Sequence, residues 1–543
     1  MTPQLLSALV PLMVLAPLIG AAMSLALGRR LRLQRIVTVV ALVATTVMSA
    51  VLLVGVDDLG TVVVEVGGWP APFGIVLVVD RISALLLVVS SIVLLAVLLF
   101  SVGQNIAFGD DETPVTIYNP AYLILATGVY TAFVAGDLFN LYVGFEILLV
   151  ASYVLITLGG TEARIRTGTT YIVVSLVSSA LFLASIAMIY GALGTVNLAH
   201  IALRMEEIAP GVQVVLHVML LLGFGIKAAV FPLSFWLPDS YPTAPAPVTA
   251  VFAGLLTKVG VYAIIRTETL LFPAPDLNGA LLVVAALTMI VGILGAVAQT
   301  DIKRLLSFTL VSHIGYLILG IGLGTVDGMT ATIYYVVHHI VVQTALFLAA
   351  GLIEQVGGST AIPKLGGMLK AAPVVAFLFL IPALNLGGIP PFSGFLGKLG
   401  LFEAAVSSGD GFAWINVAAG ALVSLLTLYA LMRVWSRVFW SPAPVDEDET
   451  VATKKPAKKS AAKGSTKKTL TRAPVAANGI AIPRLMLSST VGLVVVTLAL
   501  TVFAGPLYAY GERAAGVLGE RGYVTAVFPD GTPPGLDEEA RDG

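Results

Sequence analysis

Long, nearly uncharged apolar segments recur along the whole chain and restrict it to membrane-spanning folds. About 20 consecutive apolar residues cross the hydrocarbon core as a helix. Hydrophobic residues make up 58% of the 543 residues and charged residues only 11%, against about 25% in soluble domains. We therefore predict an all-α polytopic membrane protein with about fourteen transmembrane spans, at 5–27, 36–54, 80–103, 121–136, 138–158, 168–192, 213–236, 244–266, 278–298, 303–324, 329–354, 371–405, 413–440 and 485–510.

The basic loops test this count, because short loops rich in Lys and Arg stay on the cytoplasmic side. Basic loops follow five spans. They are Arg29, Arg30, Arg32 and Arg35 after span 1; Arg164 and Arg166 after span 5; Lys303 and Arg304 after span 9; Lys364 and Lys370 after span 11; and Arg433 and Arg437 after span 13. All are odd-numbered exits, so we expect both termini outside the cytoplasm. Merging spans 4 and 5, which only Gly136-Asp137 divides, would give thirteen helices and break this agreement. The acidic loop at 110–112 departs from the pattern, but acidic residues contribute little to orientation.

Two stretches need a separate interpretation. The segment 442–483 is first acidic and then rich in Lys, Ala, Ser and Thr, so it cannot bury a core and is predicted to be a disordered cytoplasmic linker. A lysine tether to anionic lipid or to a partner is the alternative. The first apolar run, Leu5–Leu27, has no basic region before it, which indicates a retained helix rather than a signal peptide.

Single ionisable residues stand inside several of the apolar spans: Glu146, Lys227, Lys258, His338 and Lys398. A charge at the bilayer centre costs at least about 2.5–3.5 kcal/mol on insertion scales, so such groups pair, face water or move charge. Burial readily changes the protonation of a lysine, which suits it to a proton path. The alternative is a static buried ion pair that only fixes helix packing.

Two of these lysines lie beside prolines that should break their helices. Lys227 precedes Pro232 in span 7, and Lys398 follows Pro390-Pro391 in span 12. Proline removes a backbone donor and clashes with the preceding turn. The two broken spans are five apart, an odd separation that inverts the second unit relative to the first. Inverted repeats with discontinuous helices are typical of transporters.

Four histidines, including His338 named above, are among the ionisable groups that could carry protons. They are His217, His313 and the adjacent pair His338 and His339. Histidine has the unperturbed pKa nearest neutrality and suits a relay. Neighbouring helical residues point about 100° apart, so only one of the adjacent pair can face a given partner. A helix–helix hydrogen bond remains the alternative for His217, and a histidine metal site for the other three.

Several motifs resemble the antiporter-like proton-pumping subunits shared by respiratory complex I and the Mrp multisubunit cation/proton antiporters. The matching residues are Phe145-Glu146 with Ser152-Tyr153, the run from Pro232 to Pro238, Ala244-Pro245, the run from Gln299 to Ser307, and the run from Gly388 to Phe395. The segment from Ser234 to Pro245, together with Lys398, is most similar to the D-type subunits of the Mrp antiporters.

This resemblance implies a fold of fourteen helices with spans 4–8 and 9–13 as inverted repeats. It also implies that Glu146, Lys227, Lys258 and Lys398 form the proton path. The expected division is 1–110 for helices 1–3, 111–270 and 271–440 for the two repeats, 441–484 for the linker, 485–510 for helix 14, and 511–543 for an extracytoplasmic tail.

The expected function is a proton-translocating subunit of a multisubunit cation/proton antiporter in the bacterial cell membrane. Its partners would be the other antiporter subunits, H⁺, a monovalent cation such as Na⁺, and the bilayer. A membrane-arm subunit of a complex I-like oxidoreductase or hydrogenase is the main alternative, and a stand-alone solute carrier a weaker one. The chain has no Cys, which excludes disulfides and Cys-ligated metal or iron–sulfur sites. We expect neither a cofactor, nor nucleic-acid binding, nor an enzymatic activity.

Overall fold

The architecture is a bundle of membrane-spanning helices. The computed structural model describes residues 2–104, 115–273, 277–442, 482–519, 521–529 and 531. Within these ranges, twelve helices are long and apolar enough to cross a membrane. The other two predicted spans are helical as well: span 4 is a 17-residue helix, and span 12 consists of two 15-residue helices. The predicted polytopic helical fold is confirmed, and its division into inverted repeats stays a prediction.

The spans keep their predicted order. Spans 1 to 7 are Pro3–Ala26, Leu31–Leu59, Arg81–Gly103, Tyr118–Val134, Leu138–Thr157, Glu162–Leu193 and Pro210–Ala228. Spans 8 to 14 are Ala246–Leu271, Asn278–Val297, Ile302–Gly322, Val326–Gly357, the pair Pro373–Gly387 and Ser393–Ser407, Gly411–Trp440, and Arg484–Val502. Shorter helices are Leu198–Arg204, Leu237–Ser240, Met368–Ala371, Ala504–Gly519 and Gly522–Val527, and 3₁₀ turns are Val66–Gly68, Val115–Ile117, Met205–Glu207, Tyr241–Thr243 and Ile362–Lys364. The apolar windows of spans 8 and 11 are wholly buried, so these two helices form the centre of the bundle.

Spans 4 and 5 are two separate helices, which excludes the thirteen-span alternative. Span 4 ends at Val134 and span 5 begins at Leu138. The Asp137 side chain caps span 5 by accepting a hydrogen bond from the Asn140 backbone N–H at 2.6 Å. The two helices pack closely, since a Cβ added to Gly128 would lie 2.4 Å from the Leu148 backbone nitrogen. Small residues at such contacts are how membrane helices approach one another.

The predicted breaks in spans 7 and 12 are confirmed. Span 7 ends at Ala228, not at residue 236 as predicted, and Ala229 has a left-handed backbone with φ 58°. Pro232 explains the early stop, because its ring excludes a continuing helix. Span 12 breaks between Gly387 and Ser393, and Gly388, which caps its first half, has a left-handed backbone with φ 81°.

Three features of the fold were not predicted. Span 8 contains two π-helical segments, Phe252–Leu256 and Thr267–Leu271. A small antiparallel hairpin pairs β1, Val62–Glu65, with β2, Val76–Val79. The last span ends at Val502, and a separate helix, Ala504–Gly519, continues where the sequence predicted one helix to 510.

The loops after spans 2, 4, 6 and 14 meet on one side of the bundle, which we call the hairpin side because the β-hairpin lies there. The Gly136 N–H donates to the Val76 carbonyl at 2.9 Å. Arg513, beyond span 14, pairs with Asp57 at 2.6 Å. On the opposite side, Arg433 of span 13 donates to the carbonyl of Gln299, after span 9, at 2.6 Å. This grouping agrees with fourteen crossings.

Parts of the sequence-based interpretation fall outside the described residues. They are the acidic loop at 110–112 and most of the predicted linker, 443–481. The placement of the termini outside the cytoplasm and the boundaries of the six regions stay predictions.

Candidate functional site

Lys227 is buried at the end of span 7, where the helix breaks. Its ammonium donates to the Ser179 hydroxyl at 3.0 Å and to the Ser175 carbonyl at 3.3 Å. Both acceptors lie on span 6. A cavity of about 20 Å³ adjoins the lysine, which is room for about one water molecule. The break therefore presents a buried amine to polar groups and to space for water.

Glu146 lies near Lys227 without direct contact. The carboxylate of Glu146 acts electrostatically on Lys227, yet no ion pair within 4 Å joins the two in the described part of the chain. The Oε1 atom of Glu146 has no hydrogen-bond partner among the residues that the structure describes. The Phe145 ring lies 5.8 Å from the Lys227 ammonium. The pair is thus coupled through space, and proton transfer between them requires a bridging water or a rotamer change.

Lys258 lies fully buried on span 8, immediately after the first π-helical segment. Its ammonium folds back to the carbonyl of Ala253 in that segment, at 2.7 Å. π-helical turns are frequent at functional sites. Span 8 also approaches the broken end of span 7 closely, because a Cβ on Gly260 would lie 2.7 Å from the Ala228 nitrogen.

Spans 10 and 11 place two imidazoles against one another. His313 shares a 2.6 Å hydrogen bond through Nδ1 with the Tyr335 hydroxyl. The His339 ring stacks on His313 with centroids 5.5 Å apart. Neither ring nitrogen of His339 has a hydrogen-bond partner among the described residues. His339 is therefore wholly buried against His313 between spans 10 and 11.

His338 faces a different neighbour from His339, as the helical geometry predicted. Its Nδ1 lies 3.0 Å from the hydroxyl of Ser393, at the start of the second half of span 12. Lys398 follows on the same half-helix and donates to the Leu386 carbonyl at 2.9 Å. That carbonyl belongs to the last turn before the break. The break in span 12 thus supplies the acceptor for Lys398, and the resumed helix supplies the hydroxyl for His338.

These groups form one electrostatically connected set, which we call the basic chain. Lys258 acts on His313 and His339, and Lys398 acts on all three histidines. The members of the basic chain are Lys258, His339, His313, His338 and Lys398, each at most 3% exposed. The structure brings these predicted residues together across spans 8, 10, 11 and 12.

His217 stands apart from the basic chain. It lies on span 7 ten residues before Lys227, about 15 Å along the helix axis. Its Nε2 is 2.6 Å from Oε1 of Glu268 on span 8, and its ring stacks on Phe272 at 4.4 Å. The structure therefore pairs His217 with a carboxylate on the hairpin side rather than with Lys227.

Sequence reasoning missed several polar partners. Ser175, Ser179 and Tyr335 contact the predicted residues, but residues of these types are too common in the spans to be a signal. A buried ion pair joins Arg266 of span 8 to Asp80 before span 3 at 2.7 Å. Charges at the ends of spans usually reach water, so the sequence did not distinguish this pair from surface charges.

Comparison with known proteins agrees with the motifs in the sequence. A family model described as "NADH:quinone oxidoreductase/Mrp antiporter, TM" matches residues 135–427. The range includes Glu146, Lys227, Lys258, the histidines of the basic chain and Lys398.

Named relatives and a solved structure are similar over most of the chain. A Na(+)/H(+) antiporter subunit of type D from Alkalihalophilus pseudofirmus is 42% identical over 444 residues, covering 81% of this chain and 89% of that protein. The protein of the same name from Bacillus subtilis is 37% identical over 441 residues, covering 80% and 87%. A chain of the Mrp complex from a Dietzia species superposes with a TM-score of 0.86 at 34% identity, covering 97% of this chain and all of that one.

Proposed function

The chain belongs to the NADH:quinone oxidoreductase/Mrp antiporter transmembrane family, and from that premise we propose that it is the D-type subunit of a multisubunit Na⁺/H⁺ antiporter. In this role it translocates protons through the membrane as part of a secondary transporter and not as an enzyme. The relatives are named as antiporter subunits, so the alternative of a complex I-like oxidoreductase is not favoured. The protein lies in the bacterial cell membrane with both termini outside the cytoplasm.

The basic chain is the observation that carries this proposal. Its lysines and histidines can each gain and lose a proton, which an arginine in the same place could not do. They extend the Glu146–Lys227 pair of spans 5 and 7 across the buried centre to Lys398 of span 12. A static packing role would need fixed ion pairs, and in the described part of the chain no ion pair holds any member of the basic chain.

Protons would move along this path by changing which group carries the positive charge. An opposite charge stabilises a buried ammonium, and a neighbouring positive charge destabilises it. A proton arriving on one group of the basic chain therefore favours release from the next. The gaps that exceed hydrogen-bond distance, such as the gap from Glu146 to Lys227, would be bridged by water.

The proposal requires sister subunits, and this requirement can be tested directly. We expect inverted membrane vesicles that contain the whole antiporter complex to release protons from their interior when Na⁺ is added, as followed with a pH-sensitive fluorophore. Vesicles with equal amounts of this chain alone should show none. Robust antiport by the isolated chain would disprove the multisubunit role, and no exchange by the assembled complex would disprove antiport.

A further inference from the structure

A cavity on the hairpin side adjoins one of the buried titratable pairs. Its volume is about 210 Å³, enough for several water molecules. The walls come from four parts of the chain: the 3₁₀ turn after span 6, the start of span 7, the end of span 8 and the C-terminal helices. The lining includes Glu206, Gln213, His217, Thr269, Phe272 and Arg521.

The imidazole of His217 separates this cavity from a buried carboxylate. His217 lines the cavity, and its Nε2 contacts Oε1 of Glu268 at 2.6 Å. Their side chains are only 3% and 7% exposed. Stacking on Phe272 fixes the plane of the ring. Going from the cavity into the protein, the imidazole of His217 therefore comes first and the carboxylate of Glu268 second.

The same two helices carry this pair and two lysines of the membrane interior. His217 lies ten residues before Lys227 on span 7, and Glu268 lies ten residues after Lys258 on span 8. Each separation is about 15 Å along a helix axis. Spans 7 and 8 run in opposite directions. The His217–Glu268 contact therefore joins the two helices about 15 Å closer to the hairpin side than the depth at which Lys227 and Lys258 lie.

We propose that His217 and Glu268 form a proton-exchange pair that connects the water of this cavity to the membrane depth at which Lys227 and Lys258 lie. The inference rests on the proposed proton-translocating function and adds an access point on the hairpin side. A proton from cavity water binds the imidazole, crosses the hydrogen bond to the Glu268 carboxylate, and leaves toward the interior. The reverse order releases it. Arg521 and Glu206, an exposed ion pair at 2.8 Å, form part of the rim.

The exchange role is tested with Glu268→Gln and His217→Gln in the assembled complex. Gln at 268 keeps the size and hydrogen-bonding capacity of the side chain but cannot take up a proton. We expect normal subunit levels and a loss of Na⁺-driven proton movement of at least about tenfold, since positioned proton-transfer groups contribute 10²–10⁴-fold. The matched control is Glu354→Gln, which removes a carboxylate paired with Lys303 at 2.7 Å on the opposite side. It should stay near the wild-type rate.

Water access is tested separately, and the absence of native Cys makes this possible. Thr269→Cys in the cavity wall should react with a charged, membrane-impermeant thiol reagent supplied on both sides of the membrane. Thr267→Cys, two residues away and buried, should not. Wild-type exchange with Glu268→Gln, or no labelling of Thr269→Cys in the complex, would each overturn the exchange pair. If the wild-type complex moved no protons, the proposed function itself would fail.

Discussion

The two halves of the bundle bury their proline-associated lysines in different surroundings. Lys227, in the first half, is close enough to Glu146 for a carboxylate to act on it, and it donates to the Ser179 hydroxyl. Lys398, in the second half, meets the Leu386 carbonyl and lies 5.0 Å from the centre of the Tyr316 ring. Among the described residues, no ion pair within 4 Å joins Lys398 to a carboxylate.

If these groups carry protons as proposed, the two halves have different parts in charge transfer. The first half holds a group of each sign, so the charge of its lysine can be balanced on the spot. The members of the basic chain around Lys398 are all bases, so a proton on Lys398 raises the cost of a proton on His338 or His313. In the first half, Glu146 can balance the positive charge of Lys227. Around Lys398 in the second half, a proton can only move from one base to another.

The largest effect should come from removing the acid of the first half. Glu146→Gln keeps the shape but cannot balance a charge on Lys227. We expect exchange to fall by about 10²-fold or more, the range for a lost proton-transfer group. Na⁺-dependent proton movement in inverted vesicles measures this, with subunit levels checked by immunoblot. Full exchange at normal levels would remove the carboxylate from the mechanism and with it the difference between the halves.

Lys227→Arg and Lys398→Arg should each lose most of the exchange while the complex stays assembled. A guanidinium keeps the positive charge but effectively never releases its proton. Lys370→Arg, at an exposed lysine, is the control and should behave as wild type. Near-normal exchange in both buried variants would favour static ion pairs. Loss in only one of them would show which half passes protons.

Tyr335→Phe should have a moderate effect confined to the second half. The change removes the hydroxyl that contacts His313 Nδ1 at 2.6 Å. A typical hydrogen bond contributes about 1 kcal/mol, so we expect a roughly fivefold lower exchange rate. Tyr122→Phe removes a buried hydroxyl that donates to the Leu94 carbonyl and makes no hydrogen bond to a member of the basic chain among the described residues. Equal losses in the two variants would indicate a general packing effect rather than a role for His313.

The smallest effect should follow deletion of Lys454 to Lys468. This segment lies outside all the spans and outside the described residues, and its composition cannot form a packed core. Turnover should stay near normal. Assembly, measured by co-purification of the other subunits, can be weaker without contradicting this prediction. Lost transport in a fully assembled complex would contradict this prediction and extend the functional comparison beyond the membrane.

The sequence predicted the course of the chain because a bilayer imposes a length on each apolar run. It also located both helix breaks, since Pro232 and Pro390-Pro391 act on their own backbone. The seven predicted site residues are all at least partly buried in the structure. That these residues carry protons stays a prediction until the variants are measured.

Pairings between distant elements were beyond the sequence. Nothing local indicates that His217 meets Glu268, or that the Lys227 amine meets Ser179, because each contact depends on how helices rotate and pack. The end of span 14 at Val502 had a local signal in Gly505-Pro506, but an apolar run continuing to 510 obscured it.

The contacts of the hairpin side have a consequence for how the protein is made. Arg513 binds Asp57 across 456 residues, and Tyr510 donates to the Arg81 carbonyl across 429. At 5–20 residues per second, a ribosome needs roughly 20–90 s to synthesise the chain between Asp57 and Arg513. During that interval Asp57 has no Arg513 to bind, and the first helices are in the membrane before the helix that carries Arg513 has been made. This contact therefore forms only after Arg513 has been synthesised.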